Sequence, residues 1–265
     1  MKRGRNAASL AEREPFDFDS RVTFEEEGHV YRVDGVLVPV SVSGIVKSGF
    51  QDEFDGSAVV KKNLAGWRLK ASSKYHGLVV GKSDEEAEAA VLALWNAGRD
   101  AGTALHRYAE LWLNGQSAPE DVPREEAELL LKGWTTLLSA GHSIVRTELA
   151  VFWPPRGPVK AAGQIDLLTR TSGGFAIVDL KRSGSDLTSG AHAFRNGVGV
   201  LADVGATSHM KYSLQLSLYA VMLQELTRER VSEMLLLQVD PEAGTARVIP
   251  TADLRAQARV LLLGL

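Results

Sequence analysis

The run "FAIVDLKR", residues 175–182, places an acid and a base two apart at the end of an apolar stretch. In an extended strand alternate side chains share a face, so Phe175, Ile177, Asp179 and Lys181 lie on one side and Ala176, Val178 and Leu180 on the other. A strand apolar on both faces reads as a central one, where an uncompensated carboxylate and ammonium are costly. Asp179 and Lys181 must therefore pair with each other or serve a site. One such triplet arises by chance in a chain of this size, so it needs company before it means chemistry.

The company is acidic. "GQIDLLTR" (163–170) precedes a hairpin turn at Thr171-Ser172-Gly173-Gly174, which puts Asp166 and Asp179 at similar distances from the turn, able to face each other. Two carboxylates that close repel unless a cation separates them, and a hard divalent ion with oxygen ligands is the usual resolution. Glu148 is a third acid inside a third apolar run, "TELAVFW" (147–153), although Arg146 shares its face and could pair with it. In "GTALHRYAELW" (102–112), His106 flanks the stripe of Leu105, Tyr108, Ala109 and Trp112; it is either a structural histidine or an imidazole ligand that favours manganese. Gln215 and Tyr219, four apart, share one face of a later helix.

Several elements must hold these residues. Alternation over 22–40 around Asp34-Gly35 predicts a β-hairpin. Ser41 or Ser43 offers an N-cap, a helix is expected from Phe54 to about Ser72, and Ser83 with Glu86 opens a long helical region to Asn114-Gly115, broken near Gly98 or Gly102. Ala127, Leu130, Leu131, Trp134, Leu137 and Leu138 mark another helix, stopped by Gly141. Strands follow at 144–153, 163–170 and 174–181, then an irregular Gly- and Ser-rich segment over 183–208. A helix from His209 to Thr227, strands at 232–240 and 245–250, and a terminal helix from Ala252 complete the order. The expected fold class is α/β: a central mixed β-sheet flanked by helices, with a mostly helical N-terminal half and no internal repeat.

Composition narrows the chemistry. The 265 residues carry a net charge of -3 and no cysteine, which excludes disulfides, thiolate metal sites and a cysteine-ligated iron–sulfur cluster. No apolar stretch is long enough to span a membrane, so a soluble, intracellular protein is expected, with residues 1–20 as a disordered arm. Local charge departs from the acidic mean: Ser57 to Ser83 has no Asp or Glu but holds Lys61, Lys62, Arg68, Lys70, Lys74 and Lys82 among Trp67, Tyr75 and His76. Such a stretch is a solvated helix face or a phosphate-tracking surface with aromatic rings for base stacking.

Set in order, Gly102-x-x-x-His106, Glu148, Gly163-x-x-Asp166, Asp179-x-Lys181 and Gln215-x-x-x-Tyr219 resemble the motifs of the PD-(D/E)XK nuclease superfamily, in its RecB-like exonuclease branch. The match spans about residues 98–220. "GHVYRVDGVLVPVSVSGIV" (28–46) also resembles the amino-terminal segment of phage-type and mitochondrial genome-maintenance exonucleases of that branch. The resemblance implies a restriction-endonuclease-like core in a single nuclease domain over 21–265, with 21–97 as hairpin and helices and 98–265 as catalytic core. It implies that His106, Asp166, Asp179 and the carbonyl of Leu180 bind one or two Mg²⁺ or Mn²⁺ ions, that Lys181 orients the attacking water, that Glu148 assists, and that Gln215 and Tyr219 position Lys181 or the substrate. Lys61, Lys62, Trp67, Arg68, Lys70 and Lys74 become candidate nucleic-acid contacts.

The expected function is a metal-dependent DNA exonuclease in recombination, repair or replication, acting on DNA with a free end, single-stranded DNA included. A restriction-type endonuclease and a DNA-binding module without turnover are the alternatives. Branch members with an iron–sulfur cluster are set aside by the absence of cysteine. Removing Asp166 or Asp179 is expected to abolish cleavage while relieving repulsion in the metal-free fold.

Overall fold

Turn chemistry starts the chain's visible order. The computed structural model describes residues 9–25, 27–188, 190 and 192–265. In chain order the elements are α1 (Leu10–Arg13), β1 (Val22–Glu25), β2 (Val30–Val33), β3 (Val36–Leu37), β4 (Val40–Ser41), α2 (Val42–Phe50), α3 (Gly56–Leu69), α4 (His76–Val79) and α5 (Asp84–Leu113). Then come α6 (Arg124–Ser139), β5 (Ser143–Trp153), β6 (Ala161–Thr171), β7 (Gly174–Arg182), α7 (Ser208–Thr227), β8 (Val231–Asp240), β9 (Thr245–Pro250) and α8 (Arg255–Leu263). Asp34 and Gly35 both adopt positive φ (51° and 78°), the primed turn that joins Val33 to Val36. The same β2 also pairs with β1, so the expected hairpin is a three-stranded sheet.

The central sheet is mixed. β5 runs antiparallel to β6 and β6 to β7; β7 runs parallel to β8, and β9 closes that edge antiparallel. β4 adds to β6 in parallel at Ala161 and Ala162. The helix α7 buries Leu214, Leu216, Leu218 and Ala220 to Leu223, apolar residues that fall on all sides of its middle turns. Leu214, Leu216, Leu218 and Ala220 to Leu223 join Ile165, Leu168, Phe175, Ile177 and Leu236 of the sheet in one core. The mixed sheet flanked by helices is the α/β, restriction-endonuclease-like architecture expected from the sequence. No helix among the described residues is long and apolar enough to cross a membrane.

Two expectations differ from the structure. Residues 1–8 lie outside the described residues, but from Ser9 the chain is ordered, not a loose arm: Ser9 and Glu12 form a capping box, and Leu10 and Phe18 are buried. Phe16 and Phe18 stack at 5.3 Å, and Phe18 meets Phe152 edge-on at 6.2 Å, contacts that a polar composition hides. Gly98 and Gly102 do not interrupt α5, which runs unbroken for 30 residues; one helical glycine costs only about 1 kcal/mol against its neighbours' propensity. The chain groups into two compact units. Residues up to Asp52 together with Leu105–Leu265 form one, and Glu53–Ala104 the other, the boundary falling inside α5.

The second unit has its own small core of Val60, Leu64, Val79, Ala87 and Val91. In the first, the long segment after β7 is fastened rather than loose. Leu187 and Leu201 are buried, and the Val198 N–H donates to the Gly49 carbonyl at 2.9 Å; Ser189 and Ala191 of this segment lie outside the described residues.

Candidate active site

The site begins as a gap in the sheet. Along one side β6 pairs with β5 almost throughout; on its other side β7 takes Leu167 to Thr171 and β4 takes Ala161 and Ala162. Gly163 to Asp166 therefore have no strand beside them on that edge. The Asp166 carboxylate fills part of the gap, its Oδ2 accepting the Leu180 N–H at 2.9 Å. Gly163 is required here because a Cβ would stand 2.7 Å from the Tyr219 ring and 2.9 Å from Val42 Cγ2. The glycine and the aspartate of the GxxD spacing thus serve one purpose, a strand edge that other side chains can approach.

Glu148 sits on β5 opposite Asp166, between the paired residues Thr147–Leu167 and Leu149–Ile165. Its φ is +48°, a left-handed conformation that costs a side-chain-bearing residue about 1–2 kcal/mol and that structures tolerate chiefly where function is served. The Gln164 side chain holds this kink by donating to the Glu148 carbonyl at 3.1 Å. Arg146, a possible partner by spacing, instead pairs with Asp19 at 2.6 Å. From α5, His106 brings Nδ1 to 3.5 Å from Asp166 Oδ2. One ligand atom each from His106, Glu148 and Asp166 lie within 4.8 Å of one another.

Asp179 and Lys181 occupy the free edge of β7 beyond the gap. Lys181 Nζ lies 2.6 Å from Asp179 Oδ2 as an ion pair, yet this buried oxygen accepts no aligned hydrogen bond. The other oxygen, Oδ1, accepts from Gln215 Nε2 at 3.3 Å, and the same amide donates to Tyr219 Oη at 3.4 Å. Gln215 and Tyr219 therefore act on Asp179, where the resemblance left Lys181 or the substrate as their object. Two residues escaped the sequence reading. The Tyr212 ring lies 4.8 Å from Lys181 Nζ, and Tyr31 of β2 is buried in the field of Glu148 and Asp166. Tyr212 had a signal, since 212, 215 and 219 share one helix face by spacing; Tyr31 had none beyond strand alternation.

Burial makes this concentration of acids expensive. It pushes the Glu148 carboxyl up to about 9, with Asp166, Glu110 and Asp179 adding to the effect. Burial likewise raises Asp179 to about 6, against the pull of Lys181. For Lys181 burial acts downward, but Asp179 and Asp166 outweigh it and keep the ammonium charged. Burial, then Asp166 and Asp179, raises the Tyr219 phenol as well. The carboxyls of Glu148, Asp166 and Asp179 gather here beside the Lys181 ammonium and the His106 imidazole, and a divalent cation is the usual neutraliser of such a group. The donor set fits one: a histidine nitrogen from His106 and carboxylate oxygens from Glu148 and Asp166.

The basic residues singled out by sequence all belong to the Glu53–Ala104 unit. Arg68 is a clamp, paired with Asp84 at 2.6 Å and donating to the Lys82 carbonyl. Trp67 packs on Tyr75 with ring centroids 4.3 Å apart and planes tilted by 38°, Lys61 pairs with Glu88 at 3.6 Å, and Lys74 lies over the Tyr75 ring at 5.2 Å. Lys62, Lys70 and Lys74 are exposed.

A split strand edge, clustered acids with a histidine, and a lysine two residues beyond an aspartate together form a group that could hold a metal ion. The chain belongs to the PD-(D/E)XK nuclease superfamily, whose family model matches residues 72–262. That family uses divalent metals and takes nucleic acid as substrate. No curated protein matches the sequence. Among solved structures, one described as "Crystal structure of SSO0001" aligns with a TM-score of 0.32 and 13% identity, covering 84% of this chain and 72% of that one, too loosely to carry an argument.

Proposed function

We propose that the chain is a divalent-metal-dependent DNA exonuclease of the RecB-like branch, with roles in recombination, repair or replication. The observation that carries this reading is the convergence of His106, Glu148 and Asp166 beside the Asp179–Lys181 pair. His106, Asp166 and Glu148 would hold Mg²⁺ or Mn²⁺, with Asp179 Oδ2 and the Leu180 carbonyl as further ligands. Bound there, the ion supplies Lewis-acid polarisation of the phosphodiester and a lowered pKa for the attacking water. Lys181, kept charged by Asp179, orients that water and offsets charge gathering on the phosphate. Gln215 and Tyr219 fix Asp179, and the exposed Lys62, Lys70 and Lys74 supply phosphate contacts.

The test is cleavage of end-labelled linear single- and double-stranded DNA, beside closed circular DNA, in Mn²⁺, Mg²⁺ and EDTA, comparing wild type with Lys181→Ala. Metal-dependent loss of the linear substrates alone, abolished by the substitution, supports an exonuclease. Cutting of the circle would make it an endonuclease, and no cutting by folded, metal-supplied protein would remove the enzymatic reading.

A further inference from the structure

Phe194 is 99% exposed, the barest large apolar side chain among the described residues. Isolated exposed hydrophobics are common, but this one stands on a fixed support. The Ala206 N–H donates to the Arg195 carbonyl at 2.8 Å and the Gly197 N–H to Val204 at 2.9 Å. Asn196 reaches the Ala202 carbonyl at 2.7 Å, and Leu201 is wholly buried beneath. Phe194 leaves this tied loop with the His192 ring 5.5 Å away.

Two cations, Arg195 and Lys211, lie to either side of this loop in the chain, with Asp203 between them. Arg195 and Lys211 share a single carboxylate, Asp52, at 3.3 Å and 2.7 Å. The same loop leads into α7, whose Tyr212 ring lies 4.8 Å from Lys181 Nζ. A flat exposed ring with an arginine next to it in the chain has the chemistry of a stacking platform for an unpaired base. A duplex offers no free base face along its length, so the platform selects single strands.

We propose that Phe194, with His192, stacks a nucleobase of single-stranded DNA near the candidate active site while Arg195 and Lys211 take its phosphates. The inference deepens the nuclease reading and rests on it for its substrate. It is tested with the full chain and fluorescently labelled single- and double-stranded oligonucleotides, by anisotropy in EDTA at fixed low salt, comparing wild type, Phe194→Ala and Phe194→Trp. Expected is about a 5- to 100-fold loss of single-strand affinity in Phe194→Ala, recovery in Phe194→Trp, and unchanged affinity for blunt duplex. Phe194→Ala binding single strands as wild type does would overturn the platform, and so would an equal loss on duplex. Metal-dependent cleavage by wild type is scored separately: if it fails while the affinity pattern holds, the nuclease reading falls and the platform stands.

Discussion

The Asp166 carboxylate accepts the Leu180 N–H at 2.9 Å while its same oxygen lies 3.5 Å from His106 Nδ1. One side chain therefore closes the sheet where β6 and β7 part and also faces the candidate ligands. Asp166→Ala removes both functions: it strands a backbone N–H at a cost of about 1–3 kcal/mol, partly offset by relieved repulsion. Asp166→Asn keeps an acceptor for that N–H. We expect both variants to lose metal-dependent cleavage, with Asn near wild type in urea unfolding and Ala measurably weaker. Wild-type cleavage by Asp166→Asn would refute the ligand role.

Asp179 carries a different penalty. Its removal leaves the half-buried Lys181 ammonium at the same edge without its counter-charge, and breaking a fully buried pair costs about 3–5 kcal/mol, an upper bound for this one. The sequence alone suggested that Asp179→Ala would spare the fold; the geometry predicts that it does not, whereas Asp179→Ala combined with Lys181→Met recovers much of the loss. A double-mutant cycle by denaturant melts decides it, and independent, additive effects would dissolve the coupling.

Tyr212 holds Lys181 from the other side, with the ring centroid 4.8 Å from Nζ. A cation over an aromatic face gains about 0.5–2 kcal/mol, so the ring rather than the hydroxyl should matter. Tyr212→Phe is expected to keep kcat within about twofold, and Tyr212→Leu to lower it by about 3- to 30-fold with KM little changed. Equal defects in the two variants would assign the effect to the hydroxyl.

The raised carboxyls give a pH signature. Glu148 moves from an ordinary 4.5 to about 9 and Asp179 from 3.8 to about 6, both chiefly through burial. The folded chain thus holds protons that the unfolded chain has released, and metal-free stability must fall as pH rises through these windows, by at most about 1.4 kcal/mol per pH unit per proton. A divalent ion takes the protons' place, so its stabilising effect grows with pH. Thermal melts from about pH 5 to about pH 9 in EDTA and in Mn²⁺ check both slopes. Glu148→Gln should flatten the EDTA curve; an unaltered slope would mean that Glu148 does not titrate in this range.

Much of the site was legible in one dimension. Asp166 and Asp179 could be matched because a tight hairpin turn fixes register, and Asp34-Gly35 announced its own turn through the positive φ it requires. The capping box at Ser83 and Glu86 likewise formed as local spacing demands. What stayed hidden depends on distant segments. Nothing near Phe16 signals that it packs on Phe175, and nothing near Tyr31 places it beside Glu148. Arg146 pairs with Asp19 rather than Glu148 on a strand that has a register shift between Ile144 and Arg146 and a positive φ at Glu148, irregularities that strand alternation does not encode.

The glycine of the GxxD spacing offers the sharpest test of how the site is built. A Cβ at position 163 would stand 2.7 Å from the Tyr219 ring and 2.9 Å from Val42 Cγ2, both buried in the main core. Overpacking of this kind costs about 1–3 kcal/mol, and the Tyr219 ring is the group best placed to yield. Moving it disturbs the Gln215 amide that Tyr219 shares with Asp179. Gly163→Ala should therefore lower both stability and cleavage although it touches none of the ligand atoms. Shrinking the neighbour separates the two effects: Gly163→Ala with Val42→Ala should recover stability more than activity if the ring's position matters, and recover both equally if crowding is the whole defect. Urea melts and cleavage rates on the same preparations read the difference.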